Sequence, residues 1–263
     1  MIPVSIVTGF LGSGKTTLIG RILRDPGFTR TAVIMNEFGE IGLDHALIAS
    51  SNETFTALTT GCLCCAVRSD LVRTLLDLHA SRLSGAATYD RVLIETVGVG
   101  QSETDVAGVA DTVVFCVQPG SGDSLQLMQA GIVEIPHLVV VTKGDMGAPA
   151  ERARADVAGA LSLATAGGND WPVKVLAVSS RSGAGMDRLM DALEAHRDYL
   201  AAEGRLAVTR HQQSEGWIAQ SLRDRFGRDG LATLDRLGLD LALAPGMQPF
   251  QRLRELGVAL ERP

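Results

Sequence analysis

The sequence of 263 residues lacks the features by which proteins usually bind nucleic acids or cross membranes. Aromatic residues make up 4% of the chain and the formal net charge is −6, whereas a nucleic-acid-binding face needs basic patches and stacking rings. No apolar run approaches the roughly 20 residues that span a bilayer. The N-terminus has no basic stretch ahead of an apolar core, so we read no signal peptide. We therefore expect a cytoplasmic protein that binds neither nucleic acid nor membrane.

Lysine is also scarce, which makes a motif that requires lysine informative. Only three of the 24 basic residues are lysines, at positions 15, 143 and 174. Residues 9–17 read GFLGSGKTT, the phosphate-loop pattern G-x-x-x-x-G-K-[ST], between an apolar run and a helical pattern. Its glycines let backbone N–H groups surround an anion, Lys15 reaches the β/γ-phosphates and the Thr16 hydroxyl is a Mg²⁺ ligand. The predicted phosphate-binding residues are Gly9, Gly12, Ser13, Gly14, Lys15, Thr16 and Thr17.

Apolar runs alternate with helical patterns over the first two hundred residues. Strands are predicted at 2–7, 31–36, 54–58, 90–95, 112–118, 137–142 and 173–178, and helices at 15–24, 66–81, 103–110, 123–131, 149–164 and 185–202. Because the strands are mostly continuous apolar runs, we expect an α/β fold with a doubly wound, mostly parallel sheet and a ligand at its carboxyl edge. The strands then stop, and helices are predicted at 209–227, 230–237 and 248–257 with a break at 238–246. We predict a P-loop domain over 1–205 and a short helical extension over 206–263.

The predicted strand 137–142 leads into Thr142-Lys143-Gly144-Asp145. A carboxylate at Asp145 can accept the N1–H and N2–H₂ groups of guanine, whereas adenine would leave it unpaired, and Lys143 can lay its stem along the base. The pattern resembles the N-K-x-D motif of GTPases, with Thr142 where asparagine is commonest, and we predict that Thr142, Lys143 and Asp145 contact the nucleotide. Ser179 and Ser180 follow the last strand, where GTPases place a further base-contacting loop. By itself, the pattern T-K-x-D could be an ordinary turn. Because it follows a phosphate loop in the same chain, it indicates a site for GTP and GDP.

The segment ETVGVGQSE, residues 95–103, has the character of a nucleotide-dependent switch. Glu95 ends an apolar strand, where a carboxylate can hold Mg²⁺ directly or through water. The N–H of Gly98 can approach a γ-phosphate. Because glycine is flexible, the segment can also turn at Gly98 and lose this contact after hydrolysis. Gln101 is a candidate for orienting the attacking water, or else a polar loop residue. The predicted catalytic residues are Lys15, Glu95 and Gln101.

Three of the four cysteines lie in GCLCC, at Cys62, Cys64 and Cys65. Thiolates in this spacing suit Zn²⁺, Cu(I), Co²⁺ or Ni²⁺, although redox or packing roles are alternatives. A tetrahedral site needs a fourth ligand, and the candidates are Glu37, Glu40, His45, water or a second subunit. Cys116 lies inside an apolar strand and is predicted to be a core residue.

These motifs carry a resemblance to two families of one larger group, the SIMIBI-type GTPases, which also includes HypB and UreG. The first ninety residues resemble the CobW family through GFLGSGKTTL, NEFGEIGLDHALI and GCLCCAVRSDL. From Val92 to about residue 230 the chain is similar to MeaB, also called ArgK, through VLIETVGVGQSE, PGSGDSLQLMQAGI, VVVTKGD and WPVKVLAVSS. CobW relatives usually carry ET-x-G-L-A-D-P in place of ETVGVGQSE, and MeaB relatives lack the cysteine cluster.

The resemblance implies a GTPase that couples hydrolysis to loading a metal ion of the Zn or Co type, or a metal-bearing cofactor, into a client metalloenzyme. By matching motif, Thr16 and Glu95 would bind Mg²⁺, and Lys143 and Asp145 would bind guanine. The three clustered cysteines would bind the transported metal. The alternative is a MeaB-like GTPase that protects or loads an adenosylcobalamin-dependent acyl-CoA mutase. A small-molecule kinase is disfavoured by Asp145. MeaB relatives dimerise through C-terminal helices, so we also expect a homodimer formed through 206–263.

Overall fold

A computed structural model describes residues 2–36, 55–58, 67–96, 108, 110–120, 136–164, 171–244 and 246–261. The chain divides into two compact units, Met1–Tyr199 and Leu200–Pro263. The division into a P-loop domain over 1–205 and a helical extension over 206–263 remains a prediction. Within the described ranges, no helix is long and apolar enough to cross a membrane.

The first unit is built on a seven-stranded sheet in the order β3-β2-β4-β1-β5-β6-β7. Its strands are β1 (Val4–Gly9), β2 (Thr31–Asn36), β3 (Phe55–Leu58), β4 (Arg91–Glu95), β5 (Thr112–Val117), β6 (Leu138–Val141) and β7 (Lys174–Ala177). Every neighbouring pair is parallel, and β1 lies at the centre between β4 and β5. The predicted parallel α/β sheet is thus confirmed, with each strand within about two residues of its predicted bounds.

Helices cover both faces of this sheet, which explains the continuous apolar strands. Among the described residues of the first unit, the α-helices are α1 (Lys15–Ile22), α2 (Val67–Leu83), α3 (Ala148–Ala164) and α4 (Met186–Ala201). Adjacent residues of β1 point to opposite faces: Val7 packs in one core cluster with α1 and α4, and Ile6 in another with α2. The predicted helices 103–110 and 123–131 lie outside the described residues, apart from residues 108 and 110.

The second unit consists of two helices that pack on each other. They are α5 (Arg205–Arg236) and α6 (Pro249–Glu261). Helix α5 is interrupted at Gly227, whose φ of 68° and ψ of −168° are non-helical and are adopted readily only by glycine, so the predicted boundary between helices 209–227 and 230–237 is confirmed. The predicted break at 238–246 falls between α5 and α6 as expected. Their shared core is formed by Ile218, Leu222, Leu234, Leu243 and Leu256.

Two neighbouring histidines, the buried His196 and the half-buried His137, lie at the amino end of β5 and β6. The ring centroids of His137 and His196 are 4.4 Å apart. His196 is fully buried and its Nδ1 lies 2.9 Å from the Thr112 hydroxyl, while Nδ1 of His137 accepts the Val113 N–H at 3.0 Å. Burial, together with the neighbouring His137 and Lys174, lowers the pKa of His196 to about 3. Burial likewise lowers the pKa of His137 to about 4, against the opposing effect of the Asp111 carboxylate.

Because of these two histidines, we predict that the folded protein loses stability in mild acid. In the unfolded chain His196 takes up a proton near the ordinary histidine pKa, whereas in the folded protein it stays neutral. The stability that the folded protein gains from neutral His196 is therefore present above about pH 6.5 and is lost as the pH falls toward the pKa of the folded state. We expect His196 to contribute a loss of about 2 kcal/mol in the free energy of unfolding between pH 6.5 and 5, measured by urea denaturation.

His196→Gln removes this titration, so its stability is expected to depend less steeply on pH than that of the wild type. The control is His79→Gln, because His79 is exposed on α2. Equal pH dependence of the wild type and His196→Gln would contradict the assignment.

Candidate nucleotide-binding site

The carboxyl ends of the parallel strands bring most of the described motif residues to one edge of the sheet. The phosphate loop follows β1, Glu95 ends β4, and Thr142 to Asp145 follow β6. Ser179 and Ser180 come after β7. Sequence segments more than a hundred residues apart therefore meet at the edge where α/β proteins bind ligands.

The phosphate loop is wound around the buried ammonium group of Lys15. Lys15 is 6% exposed, and its Nζ donates to the carbonyl oxygens of Gly9 at 2.8 Å and Phe10 at 3.0 Å. Gly12 and Gly14 have φ of 77° and 83°, in the left-handed region that favours glycine. The loop therefore presents a concave backbone with a fixed positive charge, which suits a phosphate group.

Helix α1 begins directly after this loop and adds to its anion-binding character. The first helical residue is Lys15, and Gly14 caps the helix without a side-chain hydrogen bond. The first turn of α1 contains no acidic residue. Its amide groups are thus not taken by a capping side chain from the described residues, and the positive end of the helix dipole points at the loop. Thr17 is exposed on this first turn.

Thr16 and Glu95 form a pair of oxygen groups beside the phosphate loop. The Thr16 hydroxyl donates to Oε1 of Glu95 at 2.8 Å, although the two residues are 79 positions apart. Glu95 is 6% exposed. A hydroxyl and a carboxylate are the oxygen donors that Mg²⁺ uses next to phosphates, so these residues fit a magnesium ion.

The loop after β6 holds Asp145 as a charged carboxylate. Oδ1 of Asp145 accepts a hydrogen bond from the Ser179 hydroxyl at 2.7 Å, and the hydroxyl itself accepts the Ser182 N–H at 3.1 Å. The bond from Ser179 is the main reason why the pKa of Asp145 lies below its usual range. Because Ser179 is fully buried, its hydroxyl fixes the carboxylate from within the protein. Ser180 follows it, partly exposed.

Gly144 lets the base loop approach β7 closely. Its N–H donates to the Val178 carbonyl at 2.9 Å. A Cβ at this position would lie 3.1 to 3.3 Å from three backbone atoms of Val178, which have little freedom to move. The glycine between Lys143 and Asp145 is therefore a packing requirement.

Gln118 is a residue of this edge that the sequence analysis did not identify. It follows β5, and its Oε1 accepts a hydrogen bond from Nζ of Lys143 at 2.5 Å. Its amide also lies close to the loop, since a Cβ at Gly12 would be 3.9 Å from it. Lys143 has a φ of 53°, a strained value for a residue other than glycine. The one available signal was that Gln118 is the first polar side chain after an apolar strand.

Several predicted site residues lie outside the described residues. They are Glu37, Cys62, Cys64, Cys65, Gly98 and Gln101. Among the residues that the structure does describe, no group of three or more histidine, cysteine or acidic side chains could hold a metal ion. Cys116 is confirmed as a core residue, and burial raises the pKa of its thiol to about 12.

A parallel sheet with a phosphate loop after its central strand, a magnesium-type oxygen pair and an aspartate-bearing loop after β6 defines a P-loop protein of the GTPase class. Within that class the chain belongs to the family described as methylmalonyl Co-A mutase-associated GTPase MeaB, whose sequence profile matches residues 74–232. The matched span includes the stretch from Val92 onward in which the motifs predicted a MeaB-like sequence.

The chain is similar to curated proteins of two kinds. It is 38% identical over 169 residues to the mouse "Methylmalonic aciduria type A homolog, mitochondrial", in a match that covers 60% of this chain and 41% of that protein. It is 43% identical over 98 residues to the Escherichia coli "Zinc chaperone YjiA", covering 37% of this chain and 31% of that protein. The matches thus span less than half of either relative, and they confirm the predicted double resemblance.

The fold as a whole is similar to a solved structure. The crystal structure described as an LAO/AO transport system kinase superposes with a TM-score of 0.64 at 26% sequence identity. The match covers 99% of this chain and 82% of that one. The helices after the sheet are therefore part of the similarity.

Proposed function

We propose that this protein is a GTPase that couples GTP hydrolysis to the delivery of a metal ion, of the Zn or Co type, or of a metal-containing cofactor to a client enzyme. Support comes from the nucleotide site, from relatives that are named GTPases, and from the cysteine cluster. The observation that carries the nucleotide part is the meeting of Lys15, the Thr16–Glu95 pair and Asp145 at one edge of the sheet.

The described residues have clear roles in such a reaction. Backbone N–H groups of the loop and the Lys15 ammonium hold the β- and γ-phosphates and stabilise charge that develops on the leaving GDP. Thr16 and Glu95 would hold Mg²⁺, which when bound neutralises charge on the phosphate oxygens. Water attacks the γ-phosphorus atom. The bond between this phosphorus and the β–γ bridging oxygen breaks, and the products are GDP and phosphate. Gln101 is the proposed residue for orienting that water.

Exchanging Asp145 for asparagine is expected to change the preferred base. The Asp145 carboxylate accepts two N–H groups of guanine, whereas an asparagine amide accepts one N–H and donates one, which matches the N1–H and C2 carbonyl of xanthine. We expect the wild type to bind GDP at least about 100-fold more tightly than ADP or XDP, and Asp145→Asn to bind XDP more tightly than GDP. Isothermal titration calorimetry with the three diphosphates measures this.

Met146→Leu is a suitable control, because Met146 is an exposed neighbour in the same loop and the exchange leaves the carboxylate unchanged. It should keep the preference for GDP. A wild type that binds ADP as tightly as GDP, or an Asp145→Asn variant that still prefers guanine, would overturn the assignment of the base site.

The cysteine cluster carries the metal part of the proposal. Cys62, Cys64 and Cys65 offer three soft ligands ahead of the switch-like segment 95–103 in the sequence, so that bound metal could bias that segment and GTP turnover could reverse the bias. One relative is named a zinc chaperone. Glu37 is the proposed further ligand.

Metal binding is expected to change the rate of GTP hydrolysis through these cysteines. We expect the wild type to bind Zn²⁺ or Co²⁺ near one equivalent at fixed Mg²⁺, with a change in hydrolysis rate that the triple variant Cys62/Cys64/Cys65→Ala lacks. The control for metal binding is Cys116→Ala, which removes a thiol that is buried in the core. It should still bind about one equivalent of metal.

A second function is favoured by the family match itself. The profile of the mutase-associated GTPases begins at residue 74, after the cysteine cluster, so the cysteines need not belong to the shared activity. In this alternative the protein protects or loads an adenosylcobalamin-dependent acyl-CoA mutase. Equal, metal-independent hydrolysis by the wild type and the triple cysteine variant would favour it, and the mutase should then accelerate GTP turnover.

The helical segment 206–263 is proposed to form a homodimer. It contains α5 and α6, and Phe250 and Val258 are exposed apolar residues on α6. The two residues lie about two helical turns apart on α6, so one interface between subunits can include both. Sedimentation of the GTP-bound protein is expected to give a dimer, and a monomer would refute the assignment.

A further inference from the structure

Thr142 stands where the guanine motif most often has asparagine, and in this structure its hydroxyl is used inside the protein. The residue is 3% exposed. Its Oγ1 lies 2.7 Å from the carbonyl oxygen of Ser13 and 3.2 Å from that of Val117. A hydroxyl has one hydrogen to donate, and the shorter distance identifies Ser13 as its principal acceptor.

This hydrogen bond joins the two halves of the nucleotide site. Ser13 belongs to the phosphate loop, Thr142 opens the base loop, and the two residues are 129 positions apart in the chain. Both are buried, Ser13 completely. Thr142 also lies beside Gly14 of the phosphate loop, because a Cβ built on that glycine would be at van der Waals distance from Thr142, 3.7 Å from Oγ1 and 3.9 Å from Cγ2. The Thr142 side chain therefore stands next to the phosphate loop and bonds to its backbone.

The backbone around Thr142 is already anchored to the neighbouring strands. The Thr142 N–H donates to the Val117 carbonyl at the end of β5, and the Gly144 N–H donates to Val178 after β7. These bonds fix the base loop relative to the sheet. The Thr142 side chain extends the anchoring across to the phosphate loop.

We propose that Thr142 is a positioning residue that holds the phosphate loop and the base loop at a fixed separation, so that one guanine nucleotide engages both loops at once. The proposal rests on the guanine-nucleotide binding proposed above. It replaces the sequence-based expectation that Thr142 contacts the nucleotide. A nucleoside diphosphate spans both loops and gains affinity from their fixed spacing, whereas guanosine or pyrophosphate touches one loop and gains nothing.

Exchange of Thr142 for valine keeps the shape of the side chain and removes the donor, whereas serine keeps the donor. We expect Thr142→Val to weaken GDP binding about 10- to 30-fold, the scale of a buried hydrogen bond lost to an isostere. Binding of guanosine and of pyrophosphate should weaken less than about threefold, and Thr142→Ser should stay within about threefold of the wild type for all three ligands. Calorimetric dissociation constants for the three ligands test this.

Thr31→Val is the matched control. The Thr31 hydroxyl donates to the Phe28 carbonyl at 2.7 Å, is also buried, and lies at the start of β2, at the opposite edge of the sheet. Loss of the Thr31 hydrogen bond should lower the melting temperature of the protein without changing its affinity for GDP. A merely structural role of Thr142 would make Thr142→Val behave in the same way, and that result would overturn the proposal.

The remaining outcomes are also distinct. Equal weakening of GDP and guanosine by Thr142→Val would overturn the proposal by showing that Thr142 contacts the base. A wild type that binds no guanine nucleotide would overturn the proposed function as well. If Thr142→Val does not fold, Thr142→Ala decides, since it also lacks the donor: it should weaken GDP binding about tenfold or more while guanosine and pyrophosphate change less than about threefold, and an unchanged affinity for GDP would overturn the proposal.

Discussion

The site depends on the close approach of β1 and β5 at the point where the phosphate loop begins. Gly9 ends β1 with a φ of 139°, and a Cβ on it would lie 2.2 Å from the Cys116 carbonyl oxygen. Any other residue would force the central strands apart. Because the Gly9 carbonyl also accepts a hydrogen bond from Lys15, the same glycine sets both the sheet geometry and the position of the lysine ammonium. The rest of the edge is arranged around this turn.

Around that turn, the site is assembled from hydrogen-bonded pairs rather than from single side chains. Thr16 is paired with Glu95, Thr142 with Ser13, and Asp145 with Ser179. Each pair joins the ends of two different strands. A parallel sheet makes such pairs possible because its strands, although distant in sequence, all end at the same edge. The geometry that a nucleotide meets is therefore set before it binds, which lowers the cost of ordering the site.

The two candidate functions share this nucleotide site and differ in the cargo. The family profile covers residues 74–232, which include Glu95, Lys143 and Asp145 but neither the phosphate loop nor the cysteine cluster. The chain thus combines a mutase-associated GTPase segment with an N-terminal segment whose motifs resemble metal-handling proteins. A single GTP cycle can drive either kind of delivery, because the nucleotide acts on the loops and the loops act on the client.

The sequence by itself determined the sheet and the phosphate loop, since these rest on local patterns: apolar runs for β5 and β6 and glycine spacing for the loop. The offset of Lys143 from Asp145 is a local pattern as well, and it is the basis of the predicted guanine site. The tertiary structure decided what the polar side chains of the site do. Gln118 carries no motif, and Thr142 matched a base-reading pattern while its hydroxyl bonds Ser13. These partners lie on other strands, and no local spacing records them.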